Sequence, residues 1–548
     1  MILEFIVRKS INKKIQTPQD LARQKREGAL RFKQKMPTNI QLLKVYHDLL
    51  KKRKVARSPQ LEKILKTREI RTLSGVAVVT VLTKPFACPG RCLYCPDEPD
   101  MPKSYLKNEP AAQRAYLNKF DPYKQVETRL QALAMTGHDT DKIELIVLGG
   151  TWSAYPNAYK HWFIKECFKA TNSKQLTVNR KQQPINLNWS KNLQRMRAEL
   201  KYEQHKNETA QHRIVGLTLE TRPDFISIEE IKKMRDLGCT RVELGVQSIY
   251  DNVLKKNLRG HTIRQTIQAT KLLRDAGFKI NYHMMLNLPG SDAKRDKKMF
   301  SKLFSSPDLQ PDLLKIYPCV VLKTAPLYKL WKNEKYKPYT EKQLINLIMT
   351  IKKKIPAYVR IQRIIRDIPK QSIVAGTKIS NLRQLIESSG RKICRCIRCR
   401  EIKSRALPQK IKLFRQDYAA AGGKEIFLSF EDKKQKNLYA FLRLRLPQKS
   451  SSFLPVLRDA ALIREIHTFG RLAPLSKTCQ QAKEQFMQHK GLGKRLMAQA
   501  ERIVRTETRF TKIAVISGVG ARQYYRLLGY RLQDEYMVKN TVYNIHKH

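Results

Sequence analysis

The chain has 548 residues, more than one hydrophobic core usually supports, and this length predicts two or three domains. It carries 108 Lys and Arg against 47 Asp and Glu, and this net charge of +61 favours a polyanion such as RNA as a partner. The opening MILEFIVRKSINKK is too short an apolar run for a signal peptide, and no run of about 18 apolar residues predicts a membrane span. These features argue against a secreted or membrane protein and predict a soluble, cytoplasmic one.

Residues 1–75 are predicted to form a basic, mostly helical segment. Residues 1–70 hold 19 Lys and Arg against 6 Asp and Glu. The apolar residues between Ile40 and Leu50 fall near helical spacing, and the basic run Lys51–Lys54 follows them. Such a run is as typical of a solvated surface as of an arm that binds RNA, and both interpretations stay open.

Residues 76–390 contain β-rich runs separated by longer helix-like segments. Six such runs alternate with helices, and this alternation predicts an α/β fold, a partial parallel barrel of six strand–helix units. The predicted strands are Val76–Leu82, Ile143–Leu148, Ile214–Leu219, Arg241–Val246, Ile280–Leu286 and Leu313–Tyr317. In such a barrel the carboxyl ends of the strands carry the active site.

A cysteine triplet follows the first predicted strand directly. Cys88, Cys92 and Cys95 form a C-x3-C-x2-C motif on one short loop. Three thiolates at this spacing hold three irons of a [4Fe–4S] cluster and leave the fourth iron free to bind S-adenosylmethionine (SAM). Zinc is the alternative, but it normally takes four ligands and no fourth lies nearby in the sequence. The motif therefore predicts radical SAM chemistry, with Tyr94 packed beside the cluster.

Polar or glycine-containing motifs end the next four predicted strands. Gly149 and Gly150 end the second strand, where backbone carbonyls would approach the SAM ammonium group. The third, fourth and fifth strands end in Glu220–Pro223, residues 247–248 and Asn287–Gly290. Each motif is weak alone, but their recurrence at successive strand ends predicts a cofactor site at this edge.

A second cysteine triplet lies in residues 391–410, between the barrel and the C-terminal region. Its members are Cys394, Cys396 and Cys399. We expect them to hold a structural zinc ion that fixes the relative angle of the two domains. Cys319, His467 and a water molecule are all candidates for the fourth ligand. A second iron–sulfur cluster is the weaker alternative, because C-x-C-x2-C matches no common cluster motif.

Residues 411–548 are predicted to form a second α/β domain. Its predicted strands are Ile426–Phe430, Leu438–Leu446 and Lys512–Ile516. Gln488, Gly491 and Gly493 make the pattern Q-x-x-G-x-G, which opens a predicted helix over residues 491–506. Backbone N–H groups at such a helix start bind pyrophosphate, so the loop predicts a GNAT-type acetyltransferase domain that binds acetyl-CoA. The later segment YYRLLGY is also typical of GNAT domains.

The two halves together resemble the catalytic subunit of the Elongator complex, a radical-SAM/GNAT family that forms carboxymethyl groups on tRNA uridine-34. The resemblance runs from about Gly75 to Lys539. Its most specific stretches are CLYCPDEPD, NKFDPYKQVETRLQALAMTGH, GLTLETRPD, RVELGVQS, LKIYP, GGKEIFLSFED and KIAVISGVGARQYYRLLGY. The C-x3-C spacing is shorter than in eukaryotic members and is similar to that of archaeal or bacterial ones. Whether the chain acts without the other Elongator subunits, or as a homodimer, stays open.

The resemblance implies a tRNA uridine(34) acetyltransferase. A 5′-deoxyadenosyl radical, formed from SAM at the [4Fe–4S] cluster, would take a hydrogen from the acetyl-CoA methyl group. The carbon radical would add to C5 of the wobble uridine, and hydrolysis would leave 5-carboxymethyluridine. A methyl C–H bond and an unactivated C5 both require radical chemistry. The implied partner is the anticodon region of tRNA, whose unpaired bases a protein can bind specifically.

The resemblance also implies which residues do this work. The implied acetyl-CoA contacts are Lys142, Glu465, Ile466, His467, Thr468, Leu492, Gly493, Lys494 and Tyr525. Lys315 and Tyr317 are the catalytic candidates in the radical pocket, and Tyr525 is a third catalytic candidate. Each of these residues also has an ordinary interpretation. Lys142 could be a surface lysine and Tyr525 a core residue, and Lys315 and Tyr317 could simply pack at the lip of the barrel.

Two other functions compete with tRNA modification. The GNAT domain would acetylate protein lysines if the barrel were only a scaffold, or the chain would be a non-catalytic RNA-binding subunit. The large positive charge attracts tRNA and repels basic protein tails. The intact first cysteine triplet argues against a non-catalytic role.

Overall fold

The computed structural model describes residues 1–65, 75–173, 193–388, 394–402, 411–448, 452–470 and 491–541. In this part of the chain, no helix is both long and apolar enough to cross a lipid bilayer.

The N-terminal segment folds as helices around an apolar core of its own. They are α1 (Ile2–Asn12), α2 (Pro18–Arg31), α3 (Asn39–Lys51) and α4 (Pro59–Leu65). Thr38 begins α3 with a capping box, in which its side chain accepts the N–H of Gln41. Leu42 and Tyr46, both 0% exposed, lie in the core. The segment is thus helical, as its periodicity predicts, and the basic run Lys51–Lys54 is exposed on its surface.

A parallel sheet of seven strands forms the central domain. The strands of this part are β1 (Ala77–Leu82), β2 (Lys142–Leu148), β3 (Arg213–Thr221), β4 (Arg241–Gln247), β5 (Lys279–Leu286), β6 (Leu313–Pro318), β7 (Val321–Leu322), β8 (Arg360–Arg363) and β9 (Ile373–Ala375). The sheet order is β1-β2-β3-β4-β5-β6-β8, while β7 and β9 pair as a small antiparallel ribbon. All six predicted strands are present. The prediction of six units was one strand short, because β8, of sequence RIQR, has no apolar run to mark it.

Helices connect the parallel strands, as a parallel sheet requires. They are α5 (Pro110–Leu117), α6 (Pro122–Met135), α7 (Asn157–Asn172), α8 (Leu193–Asn207), α9 (Ile228–Asp236), α10 (Asp251–Lys256), α11 (Ile263–Asp275), α12 (Ala293–Ser305), α13 (Leu327–Lys332) and α14 (Glu341–Lys353). A further helix, α15 (Leu382–Ser388), follows β9. Since all strands point the same way, their carboxyl ends meet at one edge of the sheet.

A second, mixed sheet forms the C-terminal domain, after the short helix α16 (Ile397–Arg400). Its elements are β10 (Ile411–Ala420), β11 (Gly423–Asp432), β12 (Leu438–Pro447), β13 (Ala460–Thr468), α17 (Leu492–Glu507), β14 (Lys512–Val515), α18 (Arg522–Arg526), β15 (Arg531–Gln533) and β16 (Tyr536–Asn540). The order is β10-β11-β12-β13-β14-β16-β15. Only the β13–β14 pair is parallel, and α17 lies between these two strands in the chain. The other pairs are antiparallel.

Buried charges join the two sheets. Asp312, directly before β6, and Glu425 on β11 are both 0% exposed. Arg464 on β13 donates to Asp312 at 2.9 Å and to Glu425 at 3.0 Å. Arg274 of α11 lies 3.0 Å from Glu425, and Arg443 of β12 lies 3.6 Å from Asp312. Because buried charges must be paired, this cluster fixes the C-terminal sheet against the amino ends of the barrel strands.

Two glycines let the C-terminal domain approach the backbone of β3 closely. A Cβ placed at Gly518 would lie 2.2 Å from the Val215 carbonyl oxygen. A Cβ placed at Gly520 would lie 2.6 Å from the Arg213 Cβ. Both distances are shorter than atoms tolerate, so the junction between the domains requires glycine at these positions.

Removing one charge from the buried cluster should destabilise the protein strongly. We expect Asp312→Asn to lower the free energy of unfolding by about 3–5 kcal/mol, since it leaves buried arginines without their counter-charge. The control is Glu507→Gln, which breaks the 2.8 Å pair with Arg415 on the surface. That variant should lose less than about 1 kcal/mol. Urea denaturation measures both, and equal losses would contradict a structural role for the cluster.

Candidate active site

The first cysteine triplet lies on a loop after β1, at the carboxyl edge of the parallel sheet. Cys92 is 3% exposed, and Cys88 and Cys95 are half-buried. The Gly90 N–H donates to Cys88 Sγ at 3.4 Å, and the Cys95 N–H donates to the Cys92 carbonyl at 3.2 Å. A Cβ placed at Gly90 would lie 3.7 Å from Cys88 Sγ and 3.6 Å from Cys92 Sγ. Gly90 therefore lies between two of the predicted cluster ligands.

Arg259, in the loop after α10, brings a positive charge to these thiols. Its Nη1 donates to Cys92 Sγ at 3.4 Å and its Nη2 to the Gly245 carbonyl at 2.6 Å. A hydrogen bond with Cys95 and the charge of Arg259 lower the pKa of the Cys92 thiol to about 5, against the opposing effect of burial. The same hydrogen bond raises the pKa of the Cys95 thiol, so the fit to a [4Fe–4S] cluster rests on the three cysteines of one short loop and on the nearby Arg259. No sequence motif indicated Arg259, which lies 167 residues from Cys92 along the chain.

The glycines predicted to contact SAM lie at the same edge, after β2. Gly149 has a φ of +137° and Gly150 a φ of +95°. A Cβ placed at Gly149 would lie 1.8 Å from Thr83 Oγ1, so glycine is required by both conformation and space. The Tyr155 hydroxyl donates to the Lys84 carbonyl at 2.7 Å and so connects the segment after β2 to the loop after β1. SAM contact with the two glycines stays a prediction.

Charged side chains from β3 to β6 meet on one face of the sheet. Glu243 of β4 is 0% exposed and accepts hydrogen bonds from Lys315 of β6 and, at 2.9 Å, from His283 Nε2 of β5. Glu220 of β3 lies 3.5 Å from His283 Nδ1 and accepts from the Tyr105 hydroxyl at 2.7 Å. Burial opposes ionisation of Glu243, but Lys315 and His283 outweigh it and hold its pKa well below the usual range. Barrel interiors usually hold branched apolar residues, so this buried polar network is a candidate for contact with a polar substrate.

Lys315 and Tyr317, the catalytic candidates, both belong to this network. Lys315 is 8% exposed, and although burial lowers its pKa, the carboxylate of Glu243 outweighs that effect and raises it overall. Lys315 is therefore a fixed cation. The Tyr317 ring stands edge-on to the His283 ring, with 5.6 Å between centroids. Sequence reasoning missed Glu243 and His283, because nothing in RVELGVQS or NYHMML marks which side chains meet across strands.

The second cysteine triplet is compact. The sulfurs of Cys394, Cys396 and Cys399 all lie within 4.8 Å of one another. A tetrahedral zinc ion with Zn–S bonds of about 2.3 Å holds sulfurs about 3.8 Å apart, so the spacing fits zinc. Among the described residues no further His, Cys, Asp or Glu joins this group. Neither Cys319 nor His467, the two protein candidates for a fourth ligand, therefore belongs to it.

The predicted acetyl-CoA loop leads into α17. Gly491 has a φ of +70° and caps the helix without a side-chain hydrogen bond, and no atom of the described residues lies within 4 Å of a Cβ placed there. A Cβ placed at Gly493 would lie 3.0 Å from the Tyr524 hydroxyl, 3.8 Å from Thr468 Cγ2 and 3.9 Å from Ile466 Cδ1. The helix start, the end of β13 and Tyr524 thus converge. Uncapped N–H groups at a helix start fit a phosphate.

The remaining predicted contacts on β13 have partners of their own. One oxygen of the Glu465 carboxylate accepts from Arg443 Nε at 2.8 Å, and contact of Glu465 with acetyl-CoA stays a prediction. The His467 ring lies 4.4 Å from the Phe469 ring, and burial lowers its pKa to about 4, which keeps it neutral. On the helix, Leu492 is buried and Lys494 is exposed.

Three further predicted residues lie as follows. Gln488 lies outside the described residues. Lys142 begins β2 in register with Arg213, next to the domain junction, and burial lowers its pKa. Tyr525 is 6% exposed and packs against Tyr530, with 6.1 Å between ring centroids. Its neighbour Tyr524, which sequence reasoning did not single out, has its hydroxyl at the start of α17.

Known proteins resemble this chain over most of its length. A family model described as the Radical SAM superfamily matches residues 84–301, and one described as the Radical_SAM C-terminal domain matches residues 311–392. The tRNA uridine(34) acetyltransferase of Methanocaldococcus infernus is 46% identical over 521 residues, which cover 92% of this chain and 91% of that protein. Elongator complex protein 3 of Homo sapiens is 38% identical over 505 residues, 88% of each chain.

A solved structure agrees with these relatives. The archaeal Methanocaldococcus infernus Elp3 with an N-terminal deletion (1–46) has a TM-score of 0.70 and 43% identity, and it covers 86% of this chain and 100% of that one. The parallel sheet and its cysteine loop agree with the relatives at 46% identity in indicating one family. The chain belongs to the radical SAM family of tRNA uridine(34) acetyltransferases and Elongator complex protein 3.

Proposed function

We propose that the protein modifies uridine-34 of tRNA and forms 5-carboxymethyluridine from acetyl-CoA by radical SAM chemistry. The observation that carries this proposal is the cysteine loop at the sheet edge, where Arg259 contacts Cys92. The chain is similar to proteins named tRNA uridine(34) acetyltransferase. With a [4Fe–4S] cluster bound by Cys88, Cys92 and Cys95, and with SAM beside it, the site would supply a 5′-deoxyadenosyl radical that removes a hydrogen from the acetyl-CoA methyl group.

Lys315 and Tyr317 would orient the reacting groups. Glu243 holds the Lys315 ammonium charged and in place, so this cation can donate to a carbonyl oxygen of the uracil or of the thioester. The Tyr317 ring packs on His283 and is fixed by it. Both side chains lie on the face of the sheet that carries Glu220, near the edge with the cysteine loop.

We assign residues 411–548 to a GNAT-type domain that binds acetyl-CoA. In support, the parallel pair β13–β14 in an otherwise antiparallel sheet is joined through α17, which begins at uncapped glycines. Gly493 would leave room for the pyrophosphate, and Lys142, Ile466 and Thr468 would contact the cofactor. Tyr525 is predicted to be catalytic, and Tyr524 is a second candidate for this role, because its hydroxyl lies at the start of α17.

The other domains follow the same assignment. Residues 1–75 would bind tRNA, residues 76–390 would form the radical SAM barrel, and residues 391–410 would hold a structural zinc ion through Cys394, Cys396 and Cys399. We propose that the chain can act without other Elongator subunits, since its own residues supply both predicted sites.

Mass analysis of tRNA nucleosides tests the proposed function. Anaerobically reconstituted protein, given unmodified tRNA, SAM, acetyl-CoA and a reductant, should produce 5-carboxymethyluridine at position 34. Acetyl-CoA labelled with ¹³C in the acetyl group should place two labelled carbons in the product. A labelled acetyl group found on protein lysines, with unmodified tRNA, would instead support the lysine acetyltransferase alternative.

Binding of tRNA should depend strongly on salt. If the excess of Lys and Arg contacts six or more phosphates, affinity should fall by about 10³-fold or more between 50 and 200 mM salt, because each contact releases a counterion. Deleting residues 1–75 should weaken binding by about tenfold or more, through the same lost contacts, and leave the iron content unchanged. Filter binding or fluorescence anisotropy measures both effects. Lys51→Ala with Lys52→Ala is the milder companion variant, since both side chains are exposed. Equal affinities of truncated and full-length protein would reduce the basic segment to a solvated surface.

A further inference from the structure

Arg222 is a buried arginine with one hydrogen-bond donor left over. It follows β3 and is 5% exposed. Its Nε and Nη2 donate to the two carboxylate oxygens of Asp224 at 2.9 and 2.7 Å. Its Nη1 is buried and has no hydrogen-bond partner within the described parts of the chain. A guanidinium donor without a partner is unfavourable away from water, so Nη1 points to a partner that binds there.

The free Nη1 faces the first cysteine triplet. A Cβ placed at Gly90 would lie 2.7 Å from Arg222 Nη1, and the same position is 3.6 Å from Cys92 Sγ and 3.7 Å from Cys88 Sγ. The guanidinium and two of the three thiols therefore surround the same glycine. A side chain at position 90 would separate them, which gives a reason for glycine inside this motif.

Arg259 has the same arrangement on the other side of Cys92. It is 7% exposed, its Nε and Nη2 are held by the Gly245 carbonyl at 3.2 and 2.6 Å, and its Nη1 donates to Cys92 Sγ at 3.4 Å. Arg222 also lies beside the loop that carries Arg259, since a Cβ placed at Gly260, the next residue in the chain, would lie 2.9 Å from Arg222 Nη2. In each arginine, Nε and Nη2 donate hydrogen bonds to oxygen atoms of the protein, while Nη1 lies next to the cysteine loop.

We propose that Arg222 and Arg259 form a buried cationic pair that raises the reduction potential of the iron–sulfur site. Reduction adds one electron and breaks no bond, so it increases the negative charge beside two guanidinium groups. Charges and N–H donors next to cluster sulfur favour the reduced form, and their effect is large where water is excluded. Within the described parts of the chain, Arg259 has no carboxylate among its hydrogen-bond partners, whereas Asp224 offsets the charge of Arg222. Arg259 should therefore have the larger effect.

The inference rests on the proposed function only in requiring a cluster on Cys88, Cys92 and Cys95. The competing role for the same arginines is to bind the carboxylate of SAM. The two roles are separable, because a potential measured without SAM reports only on the contact with the cluster.

The test is a redox titration of the reconstituted full-length protein, followed by electron paramagnetic resonance in the absence of SAM. The variants are Arg222→Gln, Arg259→Gln, and the charge-preserving Arg222→Lys and Arg259→Lys. The control is Arg241→Gln, which removes a buried arginine at the amino end of β4, where it pairs with Glu144 at 2.5 Å. Iron content and thermal unfolding identify any variant that does not fold or load its cluster.

Arg259→Gln should shift the one-electron equilibrium toward the oxidised cluster by at least tenfold, equivalent to 59 mV. Arg222→Gln should shift it several-fold in the same direction, the two lysine variants should lie between Gln and wild type, and Arg241→Gln should match wild type. If the glutamine variants do not load clusters, Arg222→Met and Arg259→Met replace them as variants without the charge, and a wild-type potential in both overturns the inference. It is also overturned if the Gln variants keep the wild-type potential and lose only SAM affinity. A wild-type protein without any cluster signal would refute the proposed function as well.

Discussion

Cys92→Ser should abolish the iron–sulfur site and all cleavage of SAM. Anaerobically reconstituted wild-type protein should hold about four irons per chain, with a brown absorbance, and the variant close to none. A cysteine thiolate binds iron, whereas a serine hydroxyl does not ionise near neutral pH and is a poor ligand for it. Iron analysis, visible absorbance and the yield of 5′-deoxyadenosine measure the effect.

Cys239→Ser is the matched control for this experiment. Cys239 is 0% exposed in the same barrel, and burial raises the pKa of its thiol to about 12. Its Sγ donates to the Arg241 carbonyl at 3.1 Å, a hydrogen bond that a serine hydroxyl can keep. This variant should retain full iron content. Wild-type protein that stays free of iron after reconstitution, or Cys92→Ser protein that keeps its cluster, would contradict the assignment of the first triplet.

The parallel sheet could be predicted from the sequence because most of its strands are short apolar runs between helices. Such runs are typical of strands buried on both faces, as β5 is, and β1 and β2 carry similar runs although only one of their faces is fully buried. The strand β8, with two arginines in four residues, joins the sheet only through its pairing with β6. In the C-terminal domain, β10 was missed because its exposed face gives IKLFRQDYAA a polar composition.

The candidate cluster ligands lie close together in the chain and form a recognisable motif, whereas the groups around them could not be predicted from the sequence. Arg259 reaches Cys92 from another loop, and Lys315 reaches Glu243 across 72 residues. Buried Lys, Glu and Arg are rare without partners, but a sequence does not show which residues become buried. The pairing appears only once the parallel strands are placed side by side.

The predicted acetyl-CoA loop shows how precisely the sequence could identify individual residues of a site. Its glycines were recognisable from spacing, and the structure places Gly493 at a helix start beside Tyr524. The resemblance indicated Tyr525, the adjacent residue. Two successive residues of the short helix α18 point in different directions, so the sequence did not show that the Tyr524 hydroxyl lies at the start of α17. The role of Tyr525 stays a prediction.

Gly493→Glu should eliminate carboxymethyluridine formation while leaving the cluster and tRNA binding nearly unchanged. The new side chain would begin 3.0 Å from the Tyr524 hydroxyl and place a carboxylate at the helix start, where the pyrophosphate of acetyl-CoA is expected. Lost amide contacts and charge repulsion together should weaken acetyl-CoA binding by about 10²-fold or more, equivalent to about 2.7 kcal/mol. Calorimetry measures the affinity, and nucleoside mass analysis measures the product.

Ala498→Glu is the control variant, which tests whether the effect of the added carboxylate depends on its position in α17. It adds the same carboxylate to α17 at an exposed residue beyond the first turn, so binding and product should match wild type. If acetyl-CoA is the hydrogen donor, Gly493→Glu should also suppress productive 5′-deoxyadenosine formation, because no methyl group reaches the radical. The iron content of both variants should equal that of wild type. Unaltered uridine modification by Gly493→Glu would mean that the carboxymethyl carbons do not come from acetyl-CoA bound at this helix, and the proposed mechanism would be wrong.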